Sequence, residues 1–134
     1  INLTQFSQPP HSEWYFKGFE AYQPVQEVIG KLAIIDKGNL SIKIVMGTWC
    51  HDSRREVPRF MKILDLWGFP SEKVTIIGVD NTKIAPIGDY EKLGIERVTT
   101  FIILENKIES GRIIENPVTS LEQDMLYILN RNEK

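Results

Sequence analysis

The chain has one cysteine, Cys50, in 134 residues. Without a second thiol there is no internal disulfide, and the four-ligand cysteine and cysteine–histidine patterns of structural zinc sites are excluded. Histidine is almost as scarce, with only His11 and His51. Long apolar runs are missing: no stretch approaches the ~20 residues needed to span a bilayer as a helix, so no membrane span is expected. Neither sign of charge dominates, because 16 lysines and arginines face 18 aspartates and glutamates for a formal net charge of -2. No broad basic surface for nucleic acid follows from that balance, and no nucleic-acid partner is expected. Repeats, low-complexity linkers and cofactor-binding patterns are also absent. The first residue is Ile1 rather than methionine, which points to an upstream segment. The compartment stays open between the cytoplasm and export, to the periplasm for instance, since a single reactive thiol suits either.

What is present is an ordinary globular composition, 42% hydrophobic and 25% charged, in a length that suits one domain over residues 1–134. Residues 1–23 contain Pro9 and Pro10 and read as an extended or edge-strand lead-in, whose aromatic-rich stretch over residues 12–22 suits an edge strand or a capping segment. Val25, Val28, Ile29 and Leu32 then fall on one face of a helix with Pro24 in its first turn. Residues 36–39 carry turn chemistry. Residues 40–47 read as a buried central strand, being short, β-branched and mostly apolar. From Asp52 to Trp67 the apolar residues Val57, Phe60, Met61, Leu64 and Trp67 recur at helical spacing, and Gly68 and Pro70 stop the helix. A second buried strand follows over residues 73–80, ending at a turn capped by Asp80. A short helix is expected near 89–93, and two strands joined at Glu105, Asn106 and Lys107 read as a hairpin. Thr119 with Glu122, or Ser120 with Gln123, offers a capping box for a last helix carrying Leu121, Met125, Ile128 and Leu129. Helices and strands in this order predict a small α/β sandwich with a mixed sheet.

The segment TWCHDSRREVPRF, residues 48–60, carries the chemistry. A strand that runs through Trp49 and Cys50 into a helix sets the sulfur at a helix N-terminus. Unpaired backbone N–H groups and the helix dipole there favour an anion, and the thiolate is the reactive form of cysteine. His51, Arg54 and Arg55 lie within about a turn and add positive charge, opposed by Asp52 and Glu56. The bland alternative for Cys50 is a small buried apolar residue, and for Ser53 a first-turn helix residue whose hydroxyl bonds backbone or thiolate. His51, Arg54 and Arg55 read as a solvated face. Cys50, His51 and Asp52 are consecutive and make a poor metal site, so no metal is expected. Cys–His hydrolase chemistry lacks a placed second histidine.

The segment IVMGTWCHDSRREVPRF resembles the active-site region of the thioredoxin family, in which an apolar strand leads into W-C-x-x-C and a helix. Pro58, eight residues after Cys50, stands where that family has its helix-kinking proline. GIERVTTFIIL is similar to the family's G-I-x-x-x-P-T segment and ENKIESGRI to its final hairpin. The resemblance spans about residues 25–131. It implies a thioredoxin-like three-layer sandwich, a central mixed β-sheet flanked by helices.

Three departures qualify the function it implies. Ser53 replaces the second cysteine and cannot form a disulfide, so the pattern is that of CxxS monothiol members. Thr99 replaces the family's cis-proline. A non-proline cis bond costs about 2.5–4 kcal/mol, so a trans Val98–Thr99 bond is the default expectation. Ile44, six residues before Cys50, replaces the family's buried acid. A peroxiredoxin would carry Thr or Ser at position 47, where this chain has Gly47. The resemblance thus implies thiol–disulfide exchange through Cys50, assisted by Ser53, with a protein or small-molecule disulfide and thiol as partners. Trp49, His51, Asp52, Arg54, Pro58, Arg97, Val98 and Thr99 would surround the pair, Arg97 as a charge near the sulfur. The other reading, that the chain is not an enzyme, is a redox-silent binding module or a protein that captures a client covalently.

Overall fold

A computed structural model describes residues 6–79, 93–95 and 97–131. Residues 89–92 of the expected short helix, and Asp80, lie outside the described residues. The elements in chain order are α1 (Ser12–Ala21), α2 (Gln26–Ala33), β1 (Leu40–Met46), α3 (His51–Trp67), a 3-10 turn at Ser71–Lys73, β2 (Val74–Gly78), β3 (Thr100–Glu105), β4 (Ile108–Ile114) and α4 (Leu121–Arg131).

The strands form one mixed sheet in the order β2-β1-β3-β4. β1 and β2 run parallel, with Ile44 opposite Ile76, and α3 makes the crossover between them. β3 runs antiparallel to β1, with Ile44 opposite Phe101, and β4 antiparallel to β3. Alternation along each strand divides its side chains between the two faces. Ile42, Ile44, Met46, Ile76, Phe101, Ile103 and Ile113 join one cluster with side chains from all four helices. Val45, Ile77, Ile102 and Leu104 turn to the other face, where Val79, Val98, Leu93 and Ile95 meet them. The four described helices thus pack on one face of the sheet, and the other face is also buried, an α/β arrangement with a thioredoxin-like fold.

Helix α3 is the spine of the larger cluster. Val57, Phe60, Met61, Leu64 and Trp67 are all buried, as their spacing predicts, and Phe60 stacks on Phe101 at 4.2 Å between ring centroids. The helix stops at Gly68, whose φ of 80° is the left-handed cap that glycine adopts without steric cost. The Phe69 N–H then bonds the Leu64 carbonyl at 2.9 Å. The β3–β4 turn needs positive φ at two positions, met by Asn106 (53°) and Lys107 (66°). At α4, Ser120 is the residue that caps, its hydroxyl accepting the Gln123 N–H at 3.1 Å.

The lead-in differs from its sequence reading. Residues 12–21 are helical, neither extended nor an edge strand. The aromatics that suggested a strand are spaced for a helix: Tyr15, Phe19 and Tyr22 all reach the main cluster, and Phe6 stacks flat on Tyr15 at 4.7 Å. Helix α1 lies against α3 at Gly18, where a Cβ would stand 3.1 Å from the Cβ of Pro58. A buried carboxylate ties the chain entering α2 to α4. Glu122, 1% exposed, accepts the Val25 N–H at 2.7 Å and the Tyr22 hydroxyl. Burial first, and then that carboxylate, hold the Tyr22 phenol above the ordinary tyrosine range.

Glu122→Ala orphans the Val25 N–H and the Tyr22 hydroxyl, and is expected to lower unfolding free energy by about 2–4 kcal/mol in urea titrations. Tyr15 generates a second expectation, because burial, with a smaller push from Asp65, raises its phenol to about 12. A folded value above the unfolded one means that its contribution is complete below the ordinary tyrosine value of about 10 and is lost as pH climbs towards 12. Tyr15→Phe should flatten the fall in stability across that window, measured by urea titration at each pH.

Candidate active site

The end of β1 turns into α3 over four residues. The Cys50 N–H closes the turn on the Gly47 carbonyl at 3.0 Å, and the Cys50 carbonyl accepts the first helical bond from the Arg54 N–H, also at 3.0 Å. Cys50 is therefore the N-cap, with extended backbone (φ -91°, ψ 126°) and no capping bond from its side chain. Its thiol is partly exposed and lies 3.8 Å from the Val98 carbonyl oxygen, as donor to it. The structure brings Cys50 and Val98 together although 48 positions separate them in the chain.

Ser53 sits one turn into the helix and is fully buried. Its hydroxyl accepts the Gly47 N–H at 3.1 Å and shares a hydrogen with the Thr99 hydroxyl at 2.6 Å. Thr99 is equally buried, and its carbonyl accepts the Glu115 N–H at 2.6 Å. One residue on, the Thr100 hydroxyl donates to the Arg97 carbonyl at 2.6 Å. The Val98–Thr99 bond itself is cis, which corrects the trans default. That default rests on local preference alone, whereas Thr99 is fastened on both sides by groups far away in sequence.

Trp49 closes the other flank. Its ring lies directly over Gly47, and its indole N–H donates to the Val79 carbonyl at 3.0 Å, with 43% of the residue still exposed. Pro58 is buried within α3 against α1, two turns from the sulfur. His51 is exposed. Asp52 pairs with Arg55 at 2.7 Å, and Arg55 also holds the buried Glu56 and the side chain of Asn116. Hydrogen bonds to Glu56 first and Asp52 second keep the Arg55 guanidinium above its ordinary range. Arg54 donates from its Nε to the Thr48 carbonyl. Arg97, 66% exposed on its side chain, pairs with Glu115 at 3.2 Å.

Sequence reasoning missed Glu115 and Asn116, which follow β4 and join the site through Thr99 and Arg55, and Trp14, which reaches it through Arg54. Positive φ at Glu115 (58°) marks the sharp exit from β4, but nothing in the residue type announces it. Among the described residues no group of three or more histidine, cysteine, aspartate or glutamate side chains is placed to hold a metal, and no helix is long and apolar enough to cross a membrane.

The arrangement offers one accessible sulfur at a helix N-terminus, a backbone carbonyl beside it, and a buried hydroxyl where a second thiol would have to be. Gly47→Ala would put a Cβ 2.5 Å from the Trp49 ring. The ring must leave and give up its bond to Val79, an expected loss of about 1–3 kcal/mol read by thermal denaturation, with a red shift in tryptophan emission.

Compared with known proteins, the chain matches no protein-family model and no curated protein. Solved structures do match. A Pseudomonas aeruginosa protein of unknown function is 12% identical over 97% of this chain and 92% of its own, with a TM-score of 0.70. A malarial protein is 18% identical over 72% and 100%, with a TM-score of 0.51. Thioredoxin O2 from Arabidopsis thaliana, in its oxidized state, is 19% identical over 78% and 85%, with a TM-score of 0.50. At these identities the likeness is one of fold, and the fold is thioredoxin-like.

Proposed function

We propose that the protein carries out thiol–disulfide exchange through the single nucleophile Cys50. The observation that carries this reading is the partly exposed sulfur at the N-cap of the long helix α3. A thiolate there faces the free N–H groups of the first helical turn, which favour the anion.

The thiolate attacks one sulfur of a protein or small-molecule disulfide. A bond forms between Cys50 and that sulfur, the old S–S bond breaks, and its other half leaves as a thiolate. Cys50 is oxidised and the leaving half is reduced. The chain has no second thiol to reverse this. Release requires an external thiolate, which attacks the substrate sulfur, frees Cys50 as thiolate and departs joined to the substrate. Ser53 supports the step indirectly, by holding the Gly47 and Thr99 segments around the sulfur. Its engaged hydroxyl is also the feature that favours the second reading, a redox-silent binding module.

Two assays separate them: insulin reduction driven by dithiothreitol, and exchange with a glutathione mixed disulfide, each with wild type and Cys50→Ser. The expected result is exchange by wild type that falls to the buffer rate in the variant, with iodoacetamide labelling of native Cys50 faster at neutral pH than in the urea-unfolded chain. Wild type and variant at the same background rate would leave the binding module as the better account.

A further inference from the structure

Helix α1 touches the thiol turn through two side chains. The Arg54 guanidinium lies over the Trp14 ring, 5.8 Å from its centroid. From there its Nε–H donates to the carbonyl of Thr48, two residues before the sulfur. The backbone N–H of the same residue bonds the Cys50 carbonyl. Arg54 therefore grips the turn both before and after Trp49. An exposed arginine alone is a poor anchor, because its long stem must be ordered at a cost of about 2 kcal/mol in rotamer freedom. A flat indole under the guanidinium confines it. Trp14 is held in turn, edge-on to Phe6 at 5.8 Å, on a helix seated against Pro58 through Gly18.

We infer that Trp14 and Arg54 act as one positioning pair, by which α1 fixes the turn at residues 48–50 and so the place of the Cys50 sulfur beside Val98. The inference rests on the reading of Cys50 as nucleophile only for its effect on rate. The effect on the backbone of the turn is independent of that reading. Charge is not what the pair supplies, so Arg54→Lys should fail where Trp14→Phe, which keeps an aromatic face, succeeds.

The test measures two quantities in the folded full chain. One is the second-order rate of Cys50 with the aromatic disulfide 5,5′-dithiobis(2-nitrobenzoic acid). The other is amide hydrogen exchange of the peptide covering residues 47–51, by mass spectrometry. Trp14→Ala, Arg54→Gln and Arg54→Lys should each slow the disulfide reaction and speed the exchange by about threefold, and Trp14→Phe should restore both. Residues that act as a unit do not add, so the Trp14→Ala/Arg54→Gln double variant should be no worse than Arg54→Gln alone. Phe19→Ala weakens the same helix without touching Arg54 and should leave the 47–51 exchange unchanged. Additive single effects, or unchanged exchange of that peptide in folded Trp14→Ala, overturn the pair. If wild-type Cys50 reacts no faster than in the urea-unfolded chain, thiol exchange fails as the function, and the pair is judged by hydrogen exchange alone.

Discussion

The Ser53 hydroxyl joins three stretches of chain at one buried point. It takes the N–H of Gly47 as β1 ends, stands on the first turns of α3, and shares a hydrogen with Thr99 as β3 begins. All of this happens without solvent, since Ser53 and Thr99 are both fully buried. A buried donor or acceptor without a partner costs about 1–3 kcal/mol, so the three segments hold together or lose together. The position of the sulfur follows from this junction. Cys50 lies between Gly47 and Ser53, Val98 precedes Thr99, and the 3.8 Å between thiol and Val98 carbonyl is the separation those two anchors allow. A hydroxyl at position 53 donates and accepts short hydrogen bonds. A thiol is longer and a weaker partner in both directions. The residue that removes dithiol chemistry is therefore also the one best suited to fix the remaining thiol.

Much of this framework was legible in the sequence because it is written in short-range periodicity. The buried face of α3 follows from the spacing of five apolar residues, the stop from Gly68, and the β3–β4 turn from Asn106 and Lys107. The cap of α4 was narrowed to two candidates, and the structure selects Ser120. What was not legible depends on contacts far apart in the chain. The partnership of Ser53 with Thr99 spans 46 positions, and the isomer of the Val98–Thr99 bond is a property of that packed loop. Helix α1 was misread for a different reason. Its aromatic residues have high strand preference, and only their i, i+4, i+7 spacing, completed by Phe6 stacking from outside the helix, shows which structure prevails.

The arginines expected to lend charge to the sulfur turn out to be engaged elsewhere. Arg55 is occupied by Asp52, Glu56 and Asn116, Arg97 by Glu115, and Arg54 by a carbonyl and an indole ring. The exposed pairs, Arg55 with Asp52 and Arg97 with Glu115, bring little net energy, about 0–1 kcal/mol, but they fix where side chains point. Among the described residues, what lies nearest the sulfur is then backbone: the first turn of the 17-residue helix α3 and the Val98 carbonyl.

Pro58 connects this backbone to the accessory helix. Lacking an N–H, it cannot serve the carbonyl four residues back, and that carbonyl belongs to Arg54. The break in the helical ladder thus falls on the residue whose side chain grips the thiol turn. Helix α1 packs against the same break, since a Cβ on Gly18 would meet the Pro58 ring at 3.1–3.2 Å and the Arg54 carbonyl at 4.0 Å. Glycine at that crossing lets two backbones approach at the point where α3 is least able to hold itself by its own hydrogen bonds. A proline eight residues from the cysteine removes one hydrogen bond inside α3, and α1 packs against it there. The brace and the grip on Thr48 are one turn of α1 apart, at Gly18 and Trp14, and only the contact at Trp14 passes through Arg54 to the thiol turn.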